Sequence, residues 1–333
     1  MTEKTFKAMV VSETEDKQYR REILTRQVDD LPAGDVLVEV HYSSLNFKDA
    51  LSASGNKGVT RKYPHTPGID AAGVVAESSD SAFKPGDPVI VTSYDLGMNT
   101  AGGFGQYIRV PAGWVVPLPD GMSQREAMCY GTAGFTAALS VHQLTSHGVL
   151  PEHGEVLVSG ATGGVGGIAV SILAKLGYTV VAVNGLADQS AYLQEIGASR
   201  VISIDEATDN SGRPLLKSLW AGCIDAVGGD ILATAIKSMN PYGVVTTCGN
   251  IASPELPINV YPFILRGVIL AGIDSQNCPM PLRQKTWEKL ADEWKVPKME
   301  AMIEEIPLTD LIPTIERMLG RKRKGRAVVK MTG

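Results

Sequence analysis

Between residues 160 and 166 the chain reads Gly160-Ala161-Thr162-Gly163-Gly164-Val165-Gly166. Glycine at this density lets backbone approach a bulky anion, because no Cβ stands in the way. The apolar run Glu155-Val156-Leu157-Val158-Ser159 before it predicts a strand, and the stretch from about Val165 to Leu176 after it predicts a helix. A loop in that setting can present N–H donors and the positive end of a helix dipole to phosphate. Taken alone, the pattern also suits a purely structural turn, and Ala161 stands at the first glycine position of the G-x-G-x-x-G fingerprint. Strand, loop, helix and the next strand, Thr179-Val180-Val181-Ala182-Val183, together favour a dinucleotide pyrophosphate site.

That second strand ends at Val183-Asn184, where NAD enzymes usually place an acid against the adenosine ribose. No acid is there, and Asp188 reads as an exposed helix-start carboxylate. The gap leans toward NADPH, for whose 2′-phosphate Arg200 is the nearest cationic donor. Metal chemistry finds little support. Cys129, Cys223, Cys248 and Cys278 are dispersed without a C-x-x-C pair, and His41, His65, His142, His147 and His153 show no ligand spacing. Free thiols in a reducing compartment and surface or packing histidines are the readings that remain.

Two kinds of element must position these residues. Up to about residue 125 the chain offers short β-branched runs at Val36–Val40, Gly73–Ala76, Val89–Thr92 and Tyr107–Val110, separated by Pro and Gly turns. They predict a small antiparallel or barrel-like β domain. Beyond it, helical segments alternate with apolar strands at Arg200–Ile202, Cys223–Val227, Gly243–Thr247 and Val268–Gly272, and a helix is expected over Ala187–Ile196. Such alternation requires crossover helices and hence a doubly wound parallel sheet. After Met299 a helix and the strand Ala327–Lys330 return, and that strand can complete the first domain. The expected class is α/β: a discontinuous β-rich domain from residues 1–125 and 299–333, and a Rossmann dinucleotide-binding domain over 126–298.

The 333 residues suit two cores better than one. With 44% hydrophobic and 20% charged residues the composition is globular, and a net charge of −5 argues against a general nucleic-acid binder. No apolar stretch reaches membrane-spanning length and Met1-Thr2-Glu3-Lys4-Thr5 lacks a signal-peptide pattern, so a cytoplasmic protein is expected. One basic cluster, Arg321-Lys322-Arg323-Lys324-Gly325-Arg326, is either a solvated face or an anion site.

Local sequences along nearly the whole chain resemble the medium-chain dehydrogenase/reductase superfamily. They are Ser43-Ser44-Leu45-Asn46-Phe47-Lys48-Asp49, Pro67-Gly68-Ile69-Asp70-Ala71-Ala72-Gly73, Lys84-Pro85-Gly86-Asp87 and the phosphate loop. Gly131-Thr132-Ala133-Gly134-Phe135-Thr136-Ala137, Gly197-Ala198-Ser199-Arg200, Pro262-Phe263-Ile264-Leu265-Arg266 and Gly272-Ile273-Asp274-Ser275 are similar to its acrylyl-CoA reductase subgroup, also described as quinone oxidoreductase. The resemblance implies a GroES-like catalytic domain, a Rossmann domain and nicotinamide in the cleft between them. It also implies a homodimer through an edge strand near Val268–Ala271, for which a simply buried strand is the alternative. Zinc-dependent relatives carry a ligand at the position of Asn46, a histidine–acid pair at Ile69-Asp70 and a four-cysteine lobe. This chain lacks that set, which implies a zinc-free enzyme.

Without a metal, hydride is best accepted by an already polarised conjugated system such as an enoyl thioester. Hydride at the β-carbon gives a thioester enolate, which oriented donors stabilise by roughly 3 kcal/mol each. The resemblance implies Asn46 as an orienting amide and Phe47 as a cofactor-packing ring, against a turn-forming Asn and a core Phe. Tyr94 is a candidate donor, against a structural tyrosine. Cofactor contacts are implied at Thr162, Gly163, Gly164, Val165, Asn184, Gly185, Arg200, Asn250, Ile264, Ser275 and Arg321. Leu186 stands where close relatives commonly offer a cation. Arg61-Lys62 and the Arg321–Arg326 cluster are candidates for coenzyme A phosphates. The expected reaction is NADPH-dependent reduction of acrylyl-CoA, with a quinone or enal/enone acceptor as the alternative and a nonenzymatic NADPH-binding protein after it.

Overall fold

The computed structural model describes residues 4–185, 188–320 and 323–332. Two compact units are present, one formed by Met1–Thr132, Gln276–Ala291 and Ile303–Gly333, the other by Ala133–Ser275 and Asp292–Met302.

The first unit opens with an antiparallel ribbon of β1 (Thr5–Glu13) and β2 (Tyr19–Gln27). Sequence patterning had suggested no strand here, because β2 carries three arginines and a glutamate and is nowhere fully buried. Phe6, Ala8 and Val10 of β1 pack with Leu37 of the next strand, which gives the ribbon its apolar seat. β3 (Val36–Leu45) pairs antiparallel with β4 (Asp70–Ser78) and with β6 (Tyr107–Val110), while β4 continues to β5 (Pro88–Thr92) and β5 to β7 (Val115–Pro117). The short α1 (Phe47–Ser52) follows β3, and its first turn is closed by a capping box between Asn46 and Asp49.

The second unit begins within the long α2 (Gln124–Ser146), which is kinked at Gly131. Its parallel sheet is ordered β10-β9-β8-β11-β12-β13, with β8 (Glu155–Val158), β9 (Val180–Asn184), β10 (Arg200–Ser203), β11 (Trp220–Asp225), β12 (Met239–Thr247) and β13 (Ile269–Gly272). The helices α3 (Gly164–Lys175), α4 (Ser190–Glu195), α5 (Gly229–Lys237) and α6 (Tyr261–Arg266) lie along the crossovers. Strands covered on both faces need no polar alternation, which is why β8, β9 and β11 read as unbroken apolar runs. The expected strand Cys223–Val227 begins earlier and ends at Asp225, whose side chain turns the chain out of the sheet. This strand order is that of a doubly wound dinucleotide fold, with its switch point between β8 and β11.

The chain then returns to the first unit. Arg283 on α7 (Met280–Ala291) is buried and donates to the carbonyl and hydroxyl of Thr92, both at 3.0 Å. A segment expected with the dinucleotide fold therefore groups with the β-rich unit, and the boundary expected near residue 125 falls at 132/133. β14 (Ile303–Pro307), α8 (Leu311–Leu319) and β15 (Arg326–Lys330) complete it. β15 pairs antiparallel with β3, Ala327 opposite Leu45, and β14 adds to β15 in parallel. One core joins both parts of the sequence, with Val38, Val40 and Leu45 packed among Leu311, Ala327 and Val329. Among the described residues no helix is long and apolar enough to cross a membrane.

The closest approach within the sheet is at Gly73, opposite Val40 beside a register shift in the β3–β4 ladder. A Cβ there would lie 1.8 Å from the Glu39 carbonyl oxygen, whereas one at Gly113 meets nothing within 4 Å. Gly73→Ala should cost roughly 2 to 3 kcal/mol in urea denaturation and Gly113→Ala under about 0.5 kcal/mol. Equal effects would show that the ladder is free to shift at Gly73.

Candidate functional site

In the second unit the loop from β8 to α3 turns at Gly160, which is left-handed at φ 61°. Gly166 is required by packing, since a Cβ there would meet the Gly160 carbonyl oxygen at 2.3 Å. Gly163, the residue before α3, differs from both: its φ is −84°, and an added Cβ would touch only the Gly160 oxygen at 3.3 Å. The chain's own geometry does not demand glycine at 163. A ligand approaching the first turn of α3 would demand it.

Across the switch point, buried Ser159 and Asp225 tie the ends of β8 and β11 together. The Ser159 hydroxyl donates to Asp225 Oδ1 at 2.6 Å and accepts from the Ala226 N–H at 3.0 Å. Asp225 also accepts from the Gly228 N–H at 2.9 Å and the Thr247 hydroxyl at 3.1 Å. Burial pushes its pKa up, and these donors oppose that shift. The loop carrying Asn250 is held against the same turn by Ala252 N–H donating to Val227 O at 2.8 Å.

The residues expected to touch cofactor fall into groups. Thr162, Gly163, Gly164 and Val165 form the loop and helix start, and Asn184 and Gly185 end β9. Asn250 follows β12 and Ser275 follows β13, so these groups share the carboxyl ends of the parallel strands. Ile264 lies on α6 and is 67% exposed. Arg321 and Leu186 lie outside the described residues. Arg200 is a correction. It opens β10 opposite Val181, at the amino end of the sheet, and its guanidinium pairs in a bidentate fashion with Glu155 at 2.9 and 2.8 Å. Three residues of strand, about 10 Å, separate it from Ser203 opposite Asn184. Its place just before the strand makes it the nearest cation in sequence, but β10 runs parallel to β9, so the residue that opens β10 stands at the amino end of the sheet, away from Asn184.

In the first unit, Asn46 is not a free amide. Its Oδ1 accepts from Arg326 at 2.8 Å and its Nδ2 donates to Asp70 Oδ2 at 2.7 Å, in a site where Asp70 and Arg326 are buried. Asp70 further accepts from the Ser44 hydroxyl at 2.5 Å and from the Thr132 hydroxyl and N–H at 2.5 and 2.9 Å. Arg326 reaches Ser44 Oγ at 2.6 Å and lies 3.6 Å from Asp70. Asn46 thus positions its neighbours, with both ends of its amide engaged. Phe47 begins α1 and is 40% exposed. Tyr94, half-buried at φ 51°, stacks on Trp114 at 5.5 Å with the Arg283 guanidinium 4.4 Å from its ring centre. Its neighbour Ser93 bonds Thr132 at 2.9 Å, so a hydrogen-bonded path leads from Tyr94's turn through Thr132 and Asp70 to Asn46.

The basic cluster is also corrected. Arg326 is buried, Arg323 pairs with Glu304 at 2.9 Å with its side chain 9% exposed, and Arg321 and Lys322 lie outside the described residues. Arg61 and Lys62 remain exposed. Sequence reading missed Asp225, Ser159, Thr132 and Arg326 as network members. The available signal was a lone ionisable residue bounding an apolar strand: Asp70 before Ala71-Ala72, Arg326 before Ala327-Val328-Val329 and Asp225 after Cys223-Ile224.

Residues 32–120 match the family model described as Alcohol dehydrogenase GroES-like domain, and residues 164–295 match Zinc-binding dehydrogenase. The chain is 45% identical to acrylyl-CoA reductase AcuI of Ruegeria pomeroyi over 97% of its length and 98% of that protein. It superposes on YhdH oxidoreductase of Salmonella enterica in complex with NADP with a TM-score of 0.95 at 41% identity, covering 98% of this chain and all of that one. YhfP of Bacillus subtilis with NAD bound gives 0.96 at 44% identity, covering 98% and 99%.

The zinc that the second family description implies does not fit these residues. Asn46 and Asp70, at the expected ligand positions, are bridged by the Arg326 guanidinium, and a dication there would face a fixed positive charge. Among the described residues no three His, Cys, Asp or Glu side chains are grouped to hold a metal.

Two outcomes test this network. Arg326→Met leaves Asp70 buried without its counter-charge and should cost about 3 to 5 kcal/mol in denaturant unfolding; a loss below about 1 kcal/mol would mean that the hydroxyls alone hold the carboxylate. The second concerns Asp49, which accepts the Asn46 and Ile69 N–H groups at 2.8 Å each. Burial, and then the charge of Asp70, raise its pKa to about 7 from 3.8. The folded state then holds a proton that the unfolded chain has lost, so stability falls as pH rises from about 4 to about 7. Asp49→Asn should remove that part of the slope, and an unchanged slope would assign it elsewhere.

Proposed function

This chain belongs to the medium-chain dehydrogenase/reductase superfamily, in its acrylyl-CoA reductase subgroup, and on that premise we propose that it reduces acrylyl-CoA to propionyl-CoA with NADPH and without a metal. The observation that carries the reading is the 45% identity, spread over 97% of the chain, to a protein of that name. The glycine at 163, which the chain's own packing does not demand, supports the dinucleotide part of it.

NADPH supplies a hydride when bound. What the chain contributes is orientation and charge. Thr162 to Val165 hold the pyrophosphate at the first turn of α3, where unpaired N–H groups and the helix dipole face the anion. Asn184 and Gly185 would flank the adenosine ribose, and Asn250 and Ser275 would line the nicotinamide side. In the first unit, the exposed Phe47 is the residue that the family position assigns to packing on the cofactor. Tyr94, held between Trp114 and Arg283, would donate a hydrogen bond toward the acceptor. With no Lewis acid to polarise a simple carbonyl, the acceptor must arrive already polarised, as an enoyl thioester does. Arg61 and Lys62 are the exposed cations for the phosphates of coenzyme A.

The protein acts as a homodimer in this reading. β13 is an end strand of its sheet, Ile269 on it is 36% exposed, and Ile264 and Leu265 on α6 are exposed apolar residues. Four free cysteines suit the reducing cytoplasm.

NADPH oxidation followed with acrylyl-CoA, crotonyl-CoA and a quinone should be fastest with acrylyl-CoA. A faster quinone reaction would overturn the substrate assignment, and binding without any turnover would leave a nonenzymatic NADPH-binding protein. Gly163→Val should weaken NADPH binding roughly a hundredfold with a melting temperature close to the parent's, since in the protein itself the added Cβ meets only the Gly160 oxygen, at 3.3 Å. Unchanged affinity would remove this loop from the site.

A further inference from the structure

We infer that the adenosine-ribose pocket of this chain does not select for a 2′-phosphate, so that NADH is accepted about as well as NADPH. The inference rests on the dinucleotide reading above and deepens it.

A cavity of about 400 Å³ opens where β9 and β10 end side by side, Asn184 opposite Ser203. Asn184, Gly185, Ser190, Ser203, Ile204 and Asp205 line it. In a doubly wound sheet this is the position of the adenosine ribose, one strand beyond the phosphate loop. Its polar groups are an amide, two hydroxyls and a carboxylate. All four suit a ribose hydroxyl, which both donates and accepts, and a carboxylate favours the donating hydroxyl over a dianion.

Charge around the cavity points the same way. Among the described residues that line it none is a cation. Leu186 and Ala187, which follow Gly185 in the sequence, carry no charge either. Glu206, next in sequence to the lining residue Asp205, holds a second carboxylate beside Ser203, accepting from its N–H at 2.8 Å and its hydroxyl at 2.9 Å. These bonds keep its pKa below the usual carboxylate range, so the rim is negative at neutral pH. Arg200 cannot compensate, being at the amino end of β10 in a bidentate pair with Glu155. A phosphate selected for its charge normally meets a guanidinium or ammonium group, and here it meets two carboxylates.

The site that would decide selectivity is Ile204. Its side chain is 45% exposed, and its Cδ1 lies 3.3 Å from where a Cβ on Gly185 would stand. It therefore extends over the end of β9, along the wall that a 2′-phosphate would face. An arginine at 204 would carry a guanidinium to that wall.

Dissociation constants for NADPH and NADH, measured by fluorescence titration with the full-length parent and with Ile204→Arg, test the inference. In the parent the two should agree within about threefold, and in Ile204→Arg the ratio should move toward NADPH by at least about tenfold. A parent that prefers NADPH by more than about thirtyfold would overturn the inference while leaving the dinucleotide reading intact. So would a ratio that does not move in Ile204→Arg. Binding of neither cofactor by the folded parent would overturn the dinucleotide reading itself and this inference with it.

Discussion

Arg326 and Asp70 meet inside the first unit, where neither side chain reaches water, and a charged pair in that position is stable only if its remaining donors and acceptors are also used. They are. Ser44 and Asn46 from the end of β3, Thr132 from the kink of α2 and the carbonyls of Leu45 and Cys129 surround the pair. Burial lowers the Arg326 pKa and the Asp70 charge opposes that shift. Four pieces of chain that are distant in sequence therefore have one joint solution. The kink follows from it as well: a Cβ at Gly131, which has φ 50°, would lie within 2.5 Å of Asp70, Ser44 and Arg326 side-chain atoms. Only glycine lets the helix backbone come that close and release the Thr132 N–H to the carboxylate.

The same pair occupies the position at which zinc-dependent relatives carry ligands. A guanidinium supplies a fixed positive charge between Asn46 and Asp70 and satisfies both, so the local electrostatics are balanced with no ion bound. It cannot act as a Lewis acid on a carbonyl, which moves the burden of polarisation onto the substrate. An enoyl thioester meets that requirement and a simple ketone or aldehyde does not.

The second unit solves a parallel problem by different means. Asp225 is buried at the switch point without a cation, and hydroxyl and N–H donors from Ser159, Val227, Gly228 and Thr247 take its charge. Because those donors come from the turns after β8 and β11 and from the last residue of β12, a single carboxylate fixes the floor on which a dinucleotide would rest. Phosphate recognition by backbone needs that rigidity, since N–H groups on a loop free to move would first have to be ordered.

The sequence by itself determined what depends on local order. The parallel strands, the glycine loop before α3, the return of Ala327–Lys330 to the β-rich unit and the family motifs were all legible, because side-chain period and turn chemistry act over a few residues. The charged strand β2 and the short β14 were not, since their pairing rests on partners far along the chain. Side-chain roles were decided only by the tertiary structure. Arg326 reads in sequence as the end of a basic surface cluster, yet β15 pairing with β3 carries it inward to Asp70. Arg200 reads as the cation nearest a nucleotide, yet the direction of β10 puts it at the wrong end of the sheet, beside Glu155. Asn46 reads as an orienting amide or a turn-forming residue, and both ends of its amide are engaged by Arg326 and Asp70. Hydrophobic periodicity is a one-dimensional signal, whereas the partner of a charge is set by where distant strands meet, and no local pattern encodes that.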